Sequence, residues 1–349
     1  MSAFQGMPAG EFHFTDITYS KKDWVATVTI NRLQAHNAYS TKALVEMTRA
    51  FQDASWDDGV AVVVLTGAGD QAFCTGGDVK EYATEYTRRP RDYWKWMGLF
   101  TQCHDLLRNI GKPVIARING IVAGGGNEFN LACDLAVMAE HAYIRQVGTR
   151  VGSVAAGGAT QWLPITVGDR RAREILFLCE EIDAARCLDW GLVNRVVPSL
   201  RSRSGEFLRP AGVAGVKQAL KEGAVVDLGP LDAEVKDLCG KLVEKFSECT
   251  RYTKQQVNFW KDLAWHQTIG HARDWLSVHY TSWEPNEGMN AFVEKRPPDY
   301  VGLRRRAAEG GSSEFPWGPY MRKCPACDAK LLPEGFAFCG ACGTPLGKA

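Results

Sequence analysis

The chain has 349 residues, 45% apolar and 23% charged, an ordinary globular balance that suits one large domain of roughly 100–200 residues with smaller attachments. Forty-one basic against 40 acidic side chains leave a formal charge of +1, which excludes the overall basic excess of a nucleic-acid or membrane-surface protein and leaves only a local phosphate site open. No run approaches the roughly 20 apolar residues of a membrane span, and MSAFQGMPAGEFHF lacks the basic start and apolar run of a secretory signal.

Residues 14–30 alternate and then turn apolar, predicting a strand that ends over 24–30. Residues 41–54 place Leu44, Val45, Met47 and Phe51 at helical spacing. The apolar, β-branched run 60–65 predicts a buried strand, followed by a loop punctuated by Gly67, Gly69, Gly76 and Gly77. A helix rich in Trp and Tyr is expected over 91–110, a second buried strand over 113–118, a helix over 126–132 and a strand over 134–139. Alternating strands and helices imply an α/β class, with strand-turn-helix units over 60–140 stacked in a coil.

Beyond residue 200 the pattern changes. Residues 199–212 read as a Ser/Arg/Pro/Gly connector, and 231–293 as helices with Leu238, Leu242, Val243 and Phe246 on one face. Pro297, Pro298, Gly310 and Gly311 mark 296–320 as linker-like. The domain reading is a core over 1–200, a helical region over 201–300, a linker over 301–320 and a cysteine-bearing module over 321–349.

Of the 11 cysteines, seven are scattered singly, mostly in apolar segments, the pattern of reduced thiols packed in a core. A reducing cytoplasm is the expected setting. The other four form two C-x-x-C pairs, Cys324 with Cys327 and Cys339 with Cys342, separated by 11 residues. Four thiolates with no fifth ligand describe a closed structural Zn²⁺ site. Disulfides and rubredoxin-like iron are the alternatives at this stage. A segment of about 30 residues has too little core to fold alone, so metal binding would supply its folding energy. Its expected role is docking, with a protein partner, rather than catalysis.

Two segments share one design: apolar strand, glycine-dense turn, helix start. They are 62–65 running to Phe73-Cys-Thr-Gly-Gly-Asp78, and 114–118 running to Gly124-Gly-Gly-Asn-Glu128. Turns without side chains let backbone N–H groups approach a ligand, and a helix start presents N–H groups that the helix itself does not use. Taken alone, each loop could equally be a tight turn. Neither matches a phosphate-loop or dinucleotide fingerprint.

Four segments together resemble the crotonase (enoyl-CoA hydratase/isomerase) superfamily. They are Phe73–Asp78, the run from Pro113 through Gly124-Gly-Gly-Asn-Glu128 to Asp134, Trp190-Gly-Leu-Val-Asn-Arg-Val-Val-Pro198, and Glu287-Gly-Met-Asn-Ala-Phe-Val-Glu-Lys-Arg296. The likeness covers about residues 14–300, in the right order. It implies a spiral of repeated ββα units with a C-terminal helical region, to which the zinc ribbon is appended. It also implies a coenzyme A thioester substrate and a homotrimer or homohexamer.

By this resemblance the N–H groups of Gly77 and Gly125 form an oxyanion hole for the thioester carbonyl. Loss of one such donor costs ~2.7–4 kcal/mol of transition-state stabilisation. Phe73, Gly76, Asp78 and Gly124 border the substrate, and Glu128 handles water or a proton; read alone, it is a first-turn acid complementing the helix dipole. Arg32, Lys80, Lys295 and Arg296 are candidate CoA contacts or else solvated surface charges, with the last two an option for a neighbouring subunit. Tyr93, Trp94, Trp96, Met97 and Phe100 either line an acyl pocket or pack the core.

The family's second glutamate falls on Gly148, which puts the two-glutamate hydratase mechanism in doubt. Gly148-Thr-Arg-Val-Gly-Ser153, Gly168-Asp-Arg-Arg-Ala-Arg-Glu174 and Cys179-Glu-Glu resemble the branch of ring-opening C–C hydrolases and dihydroxynaphthoyl-CoA synthases. Glu85–Met97 and the helical tail around 231–273 resemble most the 6-oxocyclohex-1-ene-1-carbonyl-CoA hydrolases. Such enzymes would hydrate a cyclic enoyl-CoA and cleave its ring through a thioester enolate. Where that group leads one to expect an acid near Gln161 and a histidine near Val151, this chain has an amide, able to position water, and an aliphatic. The other readings are an open-chain enoyl-CoA hydratase or isomerase, and a non-catalytic binder whose working part is the ribbon.

Overall fold

The computed structural model describes residues 4–311, 320–330, 332–333 and 335–347. Strands β1 (Ile17–Lys22) and β2 (Val25–Ile30) form a hairpin that leads into helix α1 (Thr41–Trp56). The Ser40 hydroxyl caps α1 by accepting from the N–H of Ala43 at 3.0 Å. Leu44, Met47 and Phe51 of the expected face are fully buried, whereas Val45 is exposed.

Three strand pairs follow, each closed by helix. Strands β3 (Val62–Gly67) and β4 (Ala72–Cys74) precede α2 (Val79–Glu81) and α3 (Pro90–Arg108). Strands β5 (Val114–Ile118) and β6 (Ile121–Ala123) precede α4 (Gly125–Ala132), and β7 (Leu135–Ala139) and β8 (Tyr143–Arg145) precede α5 (Ala159–Val167) and α6 (Asp169–Leu178). This is the repeated ββα unit. Next come β9 (Ile182–Asp183), α7 (Ala184–Asp189), β10 (Arg195–Val197), β11 (Leu200–Arg201), α8 (Gly212–Lys221) and β12 (Val225–Val226). Helices α9 (Gly229–Val243), α10 (Ser247–Val257), α11 (Phe259–His279), α12 (Trp283–Val293) and α13 (Tyr300–Ala308) precede β13 (Tyr320–Arg322) and β14 (Leu332–Pro333).

The first members of the pairs join the hairpin and β10 in a six-stranded sheet of order β1-β2-β3-β5-β7-β10, parallel apart from the hairpin. The second members, with β9 antiparallel to β8, build a smaller sheet, β4-β6-β8-β9. Every residue of β3 is buried, because a parallel sheet covered on both faces tolerates no polar side. Val62, Val64, Ile115, Val137 and Val197 pack there against Leu231, Val235 and Leu238 of α9.

Two expectations differ from what is observed. The 199–212 connector contains β11, which pairs with β12 beyond α8, and Arg201 bridges back to Phe207, so its polar residues decorate a tight turn. The linker-like stretch winds into α13 over Tyr300–Ala308, capped by Asp299 Oδ1 accepting from the N–H of Gly302 at 2.8 Å. Residues 312–319 of the expected linker lie outside the described residues.

The chain divides into two compact units. The first comprises Met1–Asp78, Lys95–Thr149 and Val154–Arg273; the second comprises Val79–Trp94, Arg150–Ser153 and Asp274–Ala349. Inside the second, Tyr93 stacks on Tyr280 at 3.7 Å, with Tyr82 and Tyr86 edge-on to that pair. A Cβ on Gly288 would stand 2.4 Å from the Val151 carbonyl. That closeness draws residues 150–153 into this unit, a pairing that spacing along the chain does not announce.

Candidate active site

The two glycine loops meet within the first unit. Residue Tyr39 lies beside Gly77 in a parallel bridge, with the Tyr39 N–H donating to Gly76 O at 2.9 Å and the Asp78 N–H to Tyr39 O at 3.0 Å. Gly76 has φ 92°, and a Cβ there would stand 3.1 Å from Gly125 N and 3.1 Å from Ala123 O. Only glycine permits that approach. A Cβ on Gly126 would fall 2.0 Å from Cys74 O, so the first turn of α4 rests directly on β4. Gly124, at φ 51°, donates its N–H to Arg145 O at 3.0 Å and turns the chain into α4. Among the described residues, the N–H groups of Gly77 and Gly125 donate to no other group.

Glu128, one turn into α4, is 5% exposed. Its Oε1 accepts from the N–H of Gly157 at 3.1 Å and of Ala159 at 3.4 Å. Burial pushes its carboxyl up to about 7, against the opposing pull of those two N–H groups. A carboxyl placed so holds or releases a proton near neutral pH.

Gln161 was expected to position water. Its amide is instead fully engaged: Oε1 accepts from Gly158 N at 3.1 Å and Thr160 Oγ1 at 2.9 Å, while Nε2 donates to Ala156 O at 2.9 Å and Thr268 Oγ1 at 3.2 Å. Four bonds exhaust a carboxamide. Nothing remains for a water.

Among the candidate CoA residues, Arg32 binds protein. Its guanidinium reaches Asp78 Oδ2 at 3.0 Å, Asp16 Oδ2 at 3.3 Å and Ala38 O at 2.6 Å, which ties down the first loop. Phe73 is fully buried as a core ring. Lys80 and Lys295 lie in the second unit, both exposed. Arg296 there grips Glu287 at 2.5 and 2.9 Å. In the aromatic helix, Trp96 stacks on Phe100 at 5.4 Å, and Phe100 packs on Tyr39 and Phe129. The Tyr39 ring lies against Gly125 and the Phe100 ring against Gly157. Trp94 is exposed and donates through Nε1 to Asp274 Oδ1 at 3.0 Å.

Residues 20–303 match the enoyl-CoA hydratase/isomerase family. This chain belongs to the enoyl-CoA hydratase/isomerase family. It is 34% identical over 319 residues to a 6-oxocyclohex-1-ene-1-carbonyl-CoA hydrolase of Geobacter metallireducens, spanning 84% of this chain and 82% of the relative. The hydrolase of the same name from Thauera aromatica is 33% identical over 321 residues, spanning 84% of each. Among solved structures, an enoyl-CoA hydratase from Mycobacterium avium subsp. paratuberculosis superposes with a TM-score of 0.66 at 24% identity, covering 82% of this chain and 99% of that one. The chain is thus a crotonase-family enzyme, an acyl-CoA hydratase or hydrolase, on the ββα framework described above.

Some parts of this site carried little signal in the sequence. The turn Ala155-Ala-Gly-Gly158 is a third glycine-rich lead into a helix, and its Gly157 amide, with that of Ala159 at the start of α5, holds Glu128. Its glycines were the available clue. Tyr39 and His104 gave none. The His104 ring stacks on Phe129 at 4.2 Å, and burial drives its imidazole down to about 3, so it stays neutral. A cavity of about 580 Å³ beside α8, lined by His36, Asp70, Tyr143 and Val216 among others, shares no residue with the turns at 73–78 and 124–128.

In the second unit the four terminal cysteines converge, every sulfur lying within 4.8 Å of the others. Cys324 and Cys342 are 3.6 Å apart, and Cys327 and Cys339 are 3.7 Å apart. Disulfides require about 2.05 Å. Four sulfurs set tetrahedrally at about 2.3 Å from one ion would lie about 3.8 Å apart, so the donor set suits zinc.

Proposed function

We propose that this enzyme hydrates a cyclic enoyl-CoA and then opens its ring by hydrolysis of a C–C bond, stabilising a thioester enolate in both steps. The observation that carries this is the meeting of Gly76 with Gly125 N, which leaves two uncommitted N–H groups, of Gly77 and Gly125, on adjoining loops with Glu128 one helical turn away. The names and 33–34% identity of its relatives support the cyclic substrate.

In the first step water adds to the carbon β to the thioester, its proton passing to Glu128. The C=C electron pair moves onto the thioester oxygen, where the two N–H dipoles stabilise the charge. Glu128 then returns the proton to the α-carbon. In the second step another water attacks the ring carbonyl, again giving its proton to Glu128. The bond between that carbonyl carbon and the α-carbon breaks, leaving its electron pair as the same enolate. The α-carbon takes the proton, and the former ketone becomes a carboxylic acid. One carboxyl near neutrality suffices for this cycle, in keeping with glycine at position 148.

Lys80 and Lys295 are read as contacts to CoA phosphates, whereas Arg32 acts by holding Asp78. Cys324, Cys327, Cys339 and Cys342 would hold a structural zinc ion that supplies folding energy to the ribbon, with protein docking as the ribbon's role. Strongly exposed Phe246, Val257, Phe259 and Trp260 on α10 and α11, and the loop before them, support assembly as a homotrimer or homohexamer.

Incubation with 6-oxocyclohex-1-ene-1-carbonyl-CoA and with crotonyl-CoA, followed by mass spectrometry, tests this reading. Gain of two waters on the cyclic substrate is expected. One water on crotonyl-CoA alone would mark an open-chain hydratase, and no turnover with no CoA retention would mark a binding protein.

A further inference from the structure

We infer that Gln161, latched by Thr268 of α11, is a positioning residue that sets the backbone donors gripping Glu128. The inference rests on the role proposed for Glu128.

The connection is continuous within the first unit. Glu128 Oε1 is held by the N–H groups of Gly157 and Ala159. Between them lies Gly158, at φ 137°, a conformation that no other residue type adopts readily. Such a turn needs external support. Gln161 supplies it from both sides, accepting from the Gly158 N–H and donating to Ala156 O. The remaining amide hydrogen goes to Thr268 Oγ1, which in turn donates to Ala264 O at 2.7 Å.

Helix α11 offers more than one hydroxyl. Lys261, Trp265 and Thr268 recur at i, i+4 and i+7, a single face. Lys261 Nζ donates to Leu131 O at the far end of α4 at 2.7 Å, and Lys261 O accepts from Trp162 Nε1 at 3.2 Å. Trp265 Nε1 donates to Asp105 Oδ1 of α3 at 2.6 Å. One helix face therefore grips both ends of the assembly that places Glu128: α4, which carries it, and α5 with its preceding turn, which binds it.

The chemistry of the amide explains why a carboxylate does not stand at 161. A glutamate would keep the acceptors for Gly158 and Thr160 but lose both donors. It would also set a negative oxygen against Ala156 O and a second charge beside Glu128.

The titratable groups on elements packed around α4 are few. Tyr39 and His104 face Phe129, Cys74 lies beneath Gly126, and Lys261, with Lys254 and Asp134, sits at the α4 C-terminus. His104 and Cys74 are uncharged near neutrality, at about 3 and about 12. The proton affinity of Glu128 is thus set by burial and by the two N–H groups, and slackening the turn removes the part that favours the anion.

The test follows the Glu128 carboxyl band by infrared titration of the full-length protein, assigned by subtracting Glu128→Gln. Thr268→Val keeps shape on an exposed helix position, and Gln161→Glu breaks the latch outright. Both should raise the midpoint, Gln161→Glu by about one pH unit, and the kcat profile should move the same way; Thr268→Ser should restore it. A uniform fall in kcat with an unmoved midpoint would reduce Gln161 to a packing residue and overturn the inference. So would an unmoved midpoint in a folded Thr268→Val protein, should Gln161→Glu fail to fold. Because the titration needs no substrate, a shifted midpoint in a protein inert toward every CoA thioester would sink the proposed reaction and leave the latch standing.

Discussion

The Tyr39 hydroxyl oxygen lies 1.9 Å from where a Cβ on Gly125 would stand, and its ring carbons begin at 2.8 Å. No side chain fits at residue 125 while that ring keeps its place between Phe100 and Phe129, at centroid distances of 5.7 and 5.4 Å. Gly125→Ala must therefore push the ring aside or tilt the first turn of α4, and either displaces the Gly125 N–H. Turnover should fall about 100- to 1,000-fold, while the melting temperature drops only modestly. Adding Tyr39→Phe, which removes the nearest atom, should recover part of the loss. Steady-state kinetics of the single and double variants check this; equal activity in Gly125→Ala and wild type would remove Gly125 from the site.

Arg32 makes a contrasting case, since its charge is spent on Asp16 and Asp78 at 15–20% side-chain exposure. Arg32→Met leaves two carboxylates without their shared cation and loosens the turn that carries Gly77. A double-mutant cycle with Asp78→Asn should give a coupling of about 1–3 kcal/mol in unfolding free energy. A direct CoA contact would behave otherwise, raising KM and leaving stability unchanged. Denaturant melts and KM for an acyl-CoA on the same four proteins separate the two.

Much of this arrangement was legible because it is local. The run at 60–65 is apolar from end to end and that at 113–118 is apolar but for Arg117, as strands buried on both faces require, and the glycine turns after them mark where two backbones have to touch. The resemblance supplied which N–H groups matter. What stayed hidden is non-local. Gln161 looks like a catalytic amide until Ala156 and Thr268 are found on its hydrogens, and Thr268 is 107 residues away. Arg32 looks like a phosphate contact until Asp78 closes on it across 46 residues. A pattern of residue types reports which groups could bond, and only the fold decides whether protein or ligand takes them.

The ribbon's sulfur spacing of 3.6–3.7 Å predicts one zinc per chain, measurable by metal analysis of protein purified without added zinc. Replacing Cys324, Cys327, Cys339 and Cys342 by serine should abolish that zinc and expose residues 321–349 to proteases. The ββα core draws its stability from its own buried strands, so its melting transition should survive. Retained zinc in the fourfold variant would place the metal elsewhere.

Glu128 predicts a pH signature in stability as well as in rate. Its carboxyl holds its proton to about 7 in the folded chain, against 4.5 for an ordinary glutamate. The stabilisation that goes with this extra proton is complete below about 4.5. It drains away as pH rises toward 7, where the folded protein ionises too, and the slope vanishes above that. The total is about 3 kcal/mol for a shift of this size. Glu128→Gln keeps an oxygen for the Gly157 N–H and never ionises. The variant should therefore gain on the wild type progressively between about pH 5 and 7, and the gap should stay level from pH 8 upward. Thermal melts of the two proteins across that range decide the point: a gap that shrinks with rising pH, or none at all, would mean that burial does not raise the Glu128 carboxyl, leaving it too weak a base to take the proton of the attacking water.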